Sequence, residues 1–83
     1  MSESPSDFKI LSAVTDVQMI ASGRGVHLLK FLRDTYGGQN WRKMKGKARV
    51  ERDTGWIGYA EIHWYEAHGV GKVRWKIKRQ LER

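Results

Sequence analysis

Glu61 and His63 are the two residues of this sequence whose types and spacing best suit chemistry. They lie two positions apart in a segment of alternating character, so on a β-strand both side chains point to the same face. RNA cleavage by 2′-hydroxyl attack needs a base, an acid and cations for the phosphorane charge, and it needs no metal. Glu61 or His63 could act as the base, and Arg74 in the next alternating segment could supply the cation.

The other roles in this hypothetical site have more than one candidate. His63 or His68 could be the acid, and Lys45 or Lys76 could replace Arg74 as the electrostatic partner. In the alternative interpretation, Glu61 is only salt-bridged to its neighbours and His63 is an ordinary exposed residue. The predicted catalytic residues are Glu61, His63 and Arg74.

Three alternating segments predict the strands that must position these side chains. Residues 41–52, 59–65 and 72–78 alternate between apolar and polar residues, which indicates a three-stranded antiparallel meander. Asp53-Thr54-Gly55 is the first turn, and residues 67–71 hold the second. A one-residue slip would expose buried side chains, so apolar residues must pair with each other. The predicted pairs are Ala48 with Ala60, Met44 with Trp64, Trp64 with Val73, Ile62 with Trp75 and Ala60 with Ile77.

The same register gathers basic and aromatic side chains on the opposite face of the sheet. Sixteen Lys and Arg against nine Asp and Glu give a net charge of +7, which favours a polyanionic partner over a charge that serves solubility alone. Cations attract phosphates through counterion release, and Tyr and His can stack on bases, so RNA is the expected partner. The predicted nucleic-acid-binding residues are Lys43, Lys45, Lys47, Arg49, Tyr59, Tyr65, Lys72, Lys76 and Lys78.

The N-terminal half predicts helices. Residues 1–7 are small and polar and predict a disordered lead to a single domain of residues 8–83. Residues 26–36 carry a broad apolar face and end at two glycines, as a helix does. Residues 16–22 also favour a helix, whereas residues 8–14 fit either a helix or a strand. The predicted fold is α+β, with two N-terminal helices packed on a three-stranded antiparallel meander and room for a fourth strand near residues 8–12.

Several classes of protein are disfavoured by composition. The chain has no cysteine, which removes disulfides and thiolate metal sites, and the His63-x4-His68 spacing crosses a turn among cations that oppose a metal. We therefore expect no metal and no cofactor. No apolar run is long enough for a membrane span and no signal peptide is evident, so a cytoplasmic location is expected. The sequence does not decide whether the chain forms a homodimer, which would add stability to so small a domain.

Residues 41–79 resemble an uncharacterised family of small bacterial proteins. The similarity is carried by WRKMKGKARV, followed by AEIHWYEAHGVGKVRWKIKR. That family implies no activity. The layout of helices before a basic meander also resembles the RelE/ParE toxin superfamily, and KMKGKARV is similar to the KLKG…RVR strand of those toxins. This second resemblance implies a ribonuclease that cleaves mRNA on a sheet face, although the C-terminal helix of those toxins has no counterpart here.

Together these features predict a small basic protein directed at nucleic acid, most simply RNA. Its catalytic version is a metal-independent endoribonuclease of toxin type. The alternative is a non-catalytic interaction module that binds an acidic protein partner, such as an antitoxin.

Overall fold

The protein is mostly one antiparallel sheet. A computed structural model describes residue 5 and residues 7–82. The strands are β1 (Phe8–Ile10), β2 (Thr15–Ser22), β3 (Gln39–Arg52), β4 (Ile57–His68) and β5 (Gly71–Glu82). A 3₁₀ turn, Gly23–Gly25, and one helix, α1 (Leu29–Tyr36), connect β2 to β3. The predicted lead of residues 1–7 lies outside the described residues, apart from residues 5 and 7.

The expected architecture of two helices on a three-stranded sheet is wrong, although the chain does combine a helix with an antiparallel sheet. Residues 15–22, which include the predicted helix 16–22, form the strand β2. The expected fourth strand near residues 8–12 exists as β1, so the sheet has five strands. The helix predicted over residues 26–36 begins later, at Leu29. No helix within the described part of the chain is both long and apolar enough to cross a membrane.

β1 and β2 share one side of the long strand β3. Ile10 pairs with Val50, whereas β2 pairs further along β3, from Thr15 opposite Lys47 to Ser22 opposite Arg42. Two bulges interrupt the second pairing, and Asp16 adopts a positive φ of 52° at the first. Gly46 of β3 allows the chain at the start of β2 to lie this close to β3, because an added Cβ at Gly46 would lie 2.6 Å from Val14 Cγ1. β3 then pairs with β4 and β4 with β5.

The register of the first hairpin is confirmed, and that of the second is wrong. Ala48 pairs with Ala60 and Met44 with Trp64, as predicted. In the second hairpin, extra residues in β5 move the pairing three times, and Arg74 takes a positive φ of 61° at the first shift. Bulges of this kind insert an extra residue into one strand, and the composition of the strand does not reveal where the insertion lies. The observed pairs are Tyr65 with Val73, His63 with Lys76, Ile62 with Ile77, Glu61 with Arg79 and Ala60 with Gln80.

One face of the sheet holds the larger core. We call this the core face, defined on β4 by Ala60, Ile62 and Trp64, which are almost completely buried. Phe8 of β1 and Val50 of β3 join them, and the ring of Trp75 stacks on Trp64 at 4.9 Å. Most of this cluster therefore comes from the strands of the sheet itself.

The opposite face holds the polar side chains of β4. We call it the polar face, defined by Tyr59, Glu61, His63 and Tyr65. The helix covers only one end of it, because the second core cluster joins Leu32 of α1 to Trp41, Ala67 and Val73. The indole of Trp41 donates to the carbonyl of Gly37 at 2.9 Å and fixes the helix end. The remainder of the polar face, from Tyr59 to His63, lies beyond this helix cluster.

Candidate nucleic-acid interface

A row of four cations runs along β3 on the polar face. Each is paired with one residue of β4, and no bulge interrupts this part of the ladder. Alternate residues of a strand repeat at about 7 Å, so the row spans about 20 Å with regular spacing. We call it the β3 cation row. Its members and their β4 partners are Lys43 with Tyr65, Lys45 with His63, Lys47 with Glu61, and Arg49 with Tyr59.

Glu61 and His63 are brought together at the centre of the polar face. His63 Nε2 lies 2.8 Å from Glu61 Oε2, and Arg79 donates to the other carboxylate oxygen at 3.1 Å. The side chains of Glu61 and His63 are each only 12% exposed, whereas that of Arg79 is largely exposed. Long basic side chains therefore surround a recessed carboxylate–imidazole pair.

The carboxylate of Glu61 is held in its ionised form. The hydrogen bond with His63 and then that from Arg79 lower the pKa of Glu61 below its ordinary value, and together they outweigh the opposing effect of burial. A carboxylate can only accept hydrogen bonds, so His63 Nε2 must carry the proton. The Nδ1 atom is then the ring nitrogen that a neutral His63 could use as an acceptor.

β5 adds cations beside this pair. Lys76 lies opposite His63 and Arg79 lies opposite Glu61. A groove of about 700 Å³ is lined by residues of β3, β4 and β5, by Pro5 and by Leu28 at the start of the helical segment. Its lining includes Lys43, His63, Tyr65, Arg74, Lys76 and Lys78.

Two predicted site residues, Lys72 of the binding set and Arg74 of the catalytic set, lie away from their predicted positions. Lys72 pairs with Glu66 and lies 5.7 Å above the Trp64 ring, which places it on the core face rather than the polar face. Arg74 lies over the ring of Phe31 in α1, 5.0 Å from its centroid. The predicted pair of Ile62 with Trp75 would have placed Arg74 opposite His63, whereas the observed partner of His63 is Lys76.

The two tyrosines of the polar face differ. Tyr65 is half-buried in the helix cluster, and Lys43 lies 5.8 Å from its ring centroid. Tyr59 is 40% exposed near the far end of β4. Tyr59 is therefore the better placed of the two to meet a base.

Arg79 was missing from the predicted site, although it makes the closest cationic contact to Glu61. The predicted pair of Ile62 with Trp75 puts Lys76 opposite Glu61, and the predicted third strand ends at residue 78, before Arg79. A signal was present, because the strand pattern of residues 72–78 continues into basic Lys78 and Arg79. His68 also lies outside the proposed site, since it is five positions from His63, about 17 Å along a strand.

The described side chains do not group into a metal site. Within residues 7–82, no group of three or more His, Asp or Glu side chains could hold a metal ion. Comparison with known proteins adds no relative: the sequence matches no family model and no curated protein, and the fold matches no solved structure. The resemblances to the uncharacterised bacterial family and to RelE/ParE toxins stay predictions, as do the roles of the site residues.

Proposed function

We propose that the protein binds single-stranded RNA on its polar face. The observation that carries this proposal is the β3 cation row, in which Lys45 and Arg49 make no ion pair within the described residues. Opposite charges that served only to stabilise the sheet would be paired across strands. A regular row of cations with few carboxylate partners instead favours a polymer of regular negative charge.

The spacing of the row suits a nucleic-acid backbone. Cations at every second position of a strand repeat at about 7 Å, which is close to the distance between successive phosphates in an extended single strand. Lys76 and Arg79 of β5 face the row across β4, so a backbone tracking along β4 would meet cations on both sides. This arrangement is the basic groove typical of proteins that bind single strands.

Stacking supports a single strand over a duplex. Tyr59 presents a partly exposed ring beside Arg49 on the polar face. The bases of a single strand can reach such side chains, whereas those of a duplex are stacked on each other. A cytoplasmic location, where single-stranded RNA is abundant, is part of this proposal.

An acidic protein is the competing partner for the same cations. Acidic side chains on a folded surface have no fixed spacing, so they would gain less from the β3 cation row than phosphates do. Binding of one short labelled RNA can be compared with its duplex and with polyglutamate of equal charge, at constant salt. We expect the single strand to bind most tightly, and preference for polyglutamate would contradict the proposal.

A metal-independent ribonuclease is the second candidate, favoured by the hydrogen bond between His63 and Glu61. A carboxylate that fixes an imidazole orients it for proton transfer. His63 Nδ1 would take the proton of a ribose 2′-hydroxyl as that oxygen attacks the adjacent phosphorus. The bond between phosphorus and the 5′-oxygen would break, the 5′-oxygen would take a proton from solvent water, and Lys45 and Lys76 would stabilise the phosphorane charge.

Cleavage and binding can be measured separately. A doubly labelled RNA incubated with EDTA should yield a 2′,3′-cyclic phosphate end if this chemistry occurs. His63→Ala should then abolish cleavage while retaining most of the binding, because the β3 cation row is intact. Binding without any cleavage by the wild-type protein would remove the ribonuclease and leave the binding proposal standing.

A further inference from the structure

The edge strand β2 exposes apolar side chains that RNA binding does not explain. Val17, Met19 and Ile20 are 49%, 56% and 45% exposed. Among the described residues β2 is hydrogen-bonded to β3 alone, so its other backbone edge is open. Exposed apolar side chains beside an open strand edge are features through which the sheets of separate chains associate.

The other edge of the sheet has the opposite character. β5 carries a series of lysines and arginines, and such charges protect an edge from pairing. β2 contains no Lys, Arg or Pro, and its one charged residue, Asp16, has its carboxylate 3.7 Å from Lys47 Nζ. Two β5 edges would repel each other, whereas two β2 edges bring together mainly neutral and apolar residues.

We propose that β2 is a homodimer interface, in which it lies antiparallel to β2 of a second copy. An antiparallel strand pair is self-complementary about a two-fold axis, here near Gln18 and Met19, so one patch serves both chains. Pairing of β2 with β5 of another copy would instead leave open ends and build fibres.

The two bulges in β2 limit the strength of the dimer. They leave Gln18 and Met19 as adjacent regular positions, with irregular pairing on both sides. Side-chain contacts of Val17, Met19 and Ile20 must therefore contribute most of the association, and the surface is small. We expect a weak dimer that forms at micromolar concentration or above, as small interfaces do.

The dimer would enlarge the RNA-binding surface. A two-fold axis perpendicular to the sheet keeps both polar faces on the same side. The two β3 cation rows would be three strand spacings apart, about 14 Å, and antiparallel. This consequence rests on the proposed function, whereas the dimer itself does not.

The test is the mass of the full chain across micromolar concentrations, by sedimentation equilibrium. Wild type should show a monomer–dimer equilibrium, and Met19→Lys should raise the dissociation constant at least about tenfold, because like charges then meet across the axis. Ile57→Lys is the matched control, since Ile57 is similarly exposed near the β3–β4 turn. Mixing Met19→Lys with Met19→Glu should restore a heterodimer.

Three results would overturn the dimer. One is a wild-type protein that is monomeric at every concentration. The second is a dimer that survives Met19→Lys with the fold intact by circular dichroism, and the third is a dimer that is lost in the Ile57→Lys control. RNA binding by a strictly monomeric wild type would refute this interface alone, whereas a dimer that binds no RNA would refute only the proposed function.

Discussion

His63 Nε2 lies 2.8 Å from Glu61 Oε2, on a sheet face that is otherwise mainly basic. The contact joins residues two positions apart on one strand, so it needs no long-range packing to form. Arg79, from the neighbouring strand, completes the carboxylate's partners at 3.1 Å. An ionised carboxylate is thus kept among cations, where it orients an imidazole at the centre of the polar face.

The first prediction concerns acid stability. The pKa of Glu61 is lowered in the folded chain by the hydrogen bond with His63 and by that from Arg79. The resulting stabilisation of the folded chain is fully present above pH 4.5, the ordinary pKa of a glutamate. It is lost as the pH falls from there through the lowered pKa of Glu61. Glu61→Gln should therefore be less stable than wild type at neutral pH, and the difference should shrink on acidification.

Urea denaturation at a series of pH values measures this effect. Glu51→Gln is the control, because Glu51 is on the same face and makes no hydrogen bond or ion pair through its side chain within residues 7–82. The control should follow the wild-type pH curve. If the difference in unfolding free energy between Glu61→Gln and wild type stays the same from neutral to acid pH, the stabilising role of the ionised Glu61 is refuted.

The second prediction concerns the close approach of β2 to β3. A Cβ at residue 46 would lie 2.6 Å from Val14 Cγ1 and 3.1 Å from the carbonyl oxygen of Thr15. Gly46→Ala should therefore cost about 1–3 kcal/mol of unfolding free energy, as overpacking does. Gly25→Ala should be nearly neutral, because the added carbon would meet only Ala21 Cβ at an ordinary 3.7 Å. Thermal or chemical denaturation compares the two, and equal stability would contradict this packing.

The third prediction separates the two tyrosines of the polar face. Tyr59→Ala should weaken RNA binding by about fivefold to 150-fold, since stacking on one base contributes about 1–3 kcal/mol, and should change stability little. Tyr65→Ala should mainly reduce stability, because its ring packs in the helix cluster. Binding titrations and denaturation of both variants check this. Equal binding losses with no stability difference would show that the tyrosines are interchangeable.

The first hairpin was predictable because its signal is uninterrupted. Met44, Ala48 and Val50 alternate with cations in β3, and Ala60, Ile62 and Trp64 alternate with polar residues in β4. Only one register buries both sets, so the predicted pairs of Ala48 with Ala60 and Met44 with Trp64 are confirmed.

The second hairpin and β2 were not predictable by the same rule. The bulge at Arg74 leaves Val73 and Trp75 on opposite faces, although their spacing indicates one face. In β2, Val17 and Ala21 mimic a helical stripe, and the strand forms because β3 provides a partner along its length. Most of β2 is exposed on both faces, so it lacks the alternation by which strands are detected. The Glu61–His63 contact was predictable from spacing, whereas Arg79 required the true register.

The most direct test of RNA binding on the polar face is the salt dependence of affinity for a short single-stranded RNA. If the four cations of the β3 cation row meet phosphates, log K should fall against log salt with a slope of about −3, and Lys45→Ala should make the slope shallower by about 0.7. Lys72→Ala removes the same charge from the core face and should leave the slope unchanged. Equal slopes for wild type and Lys45→Ala, or an equal change in Lys72→Ala, would contradict binding on the polar face.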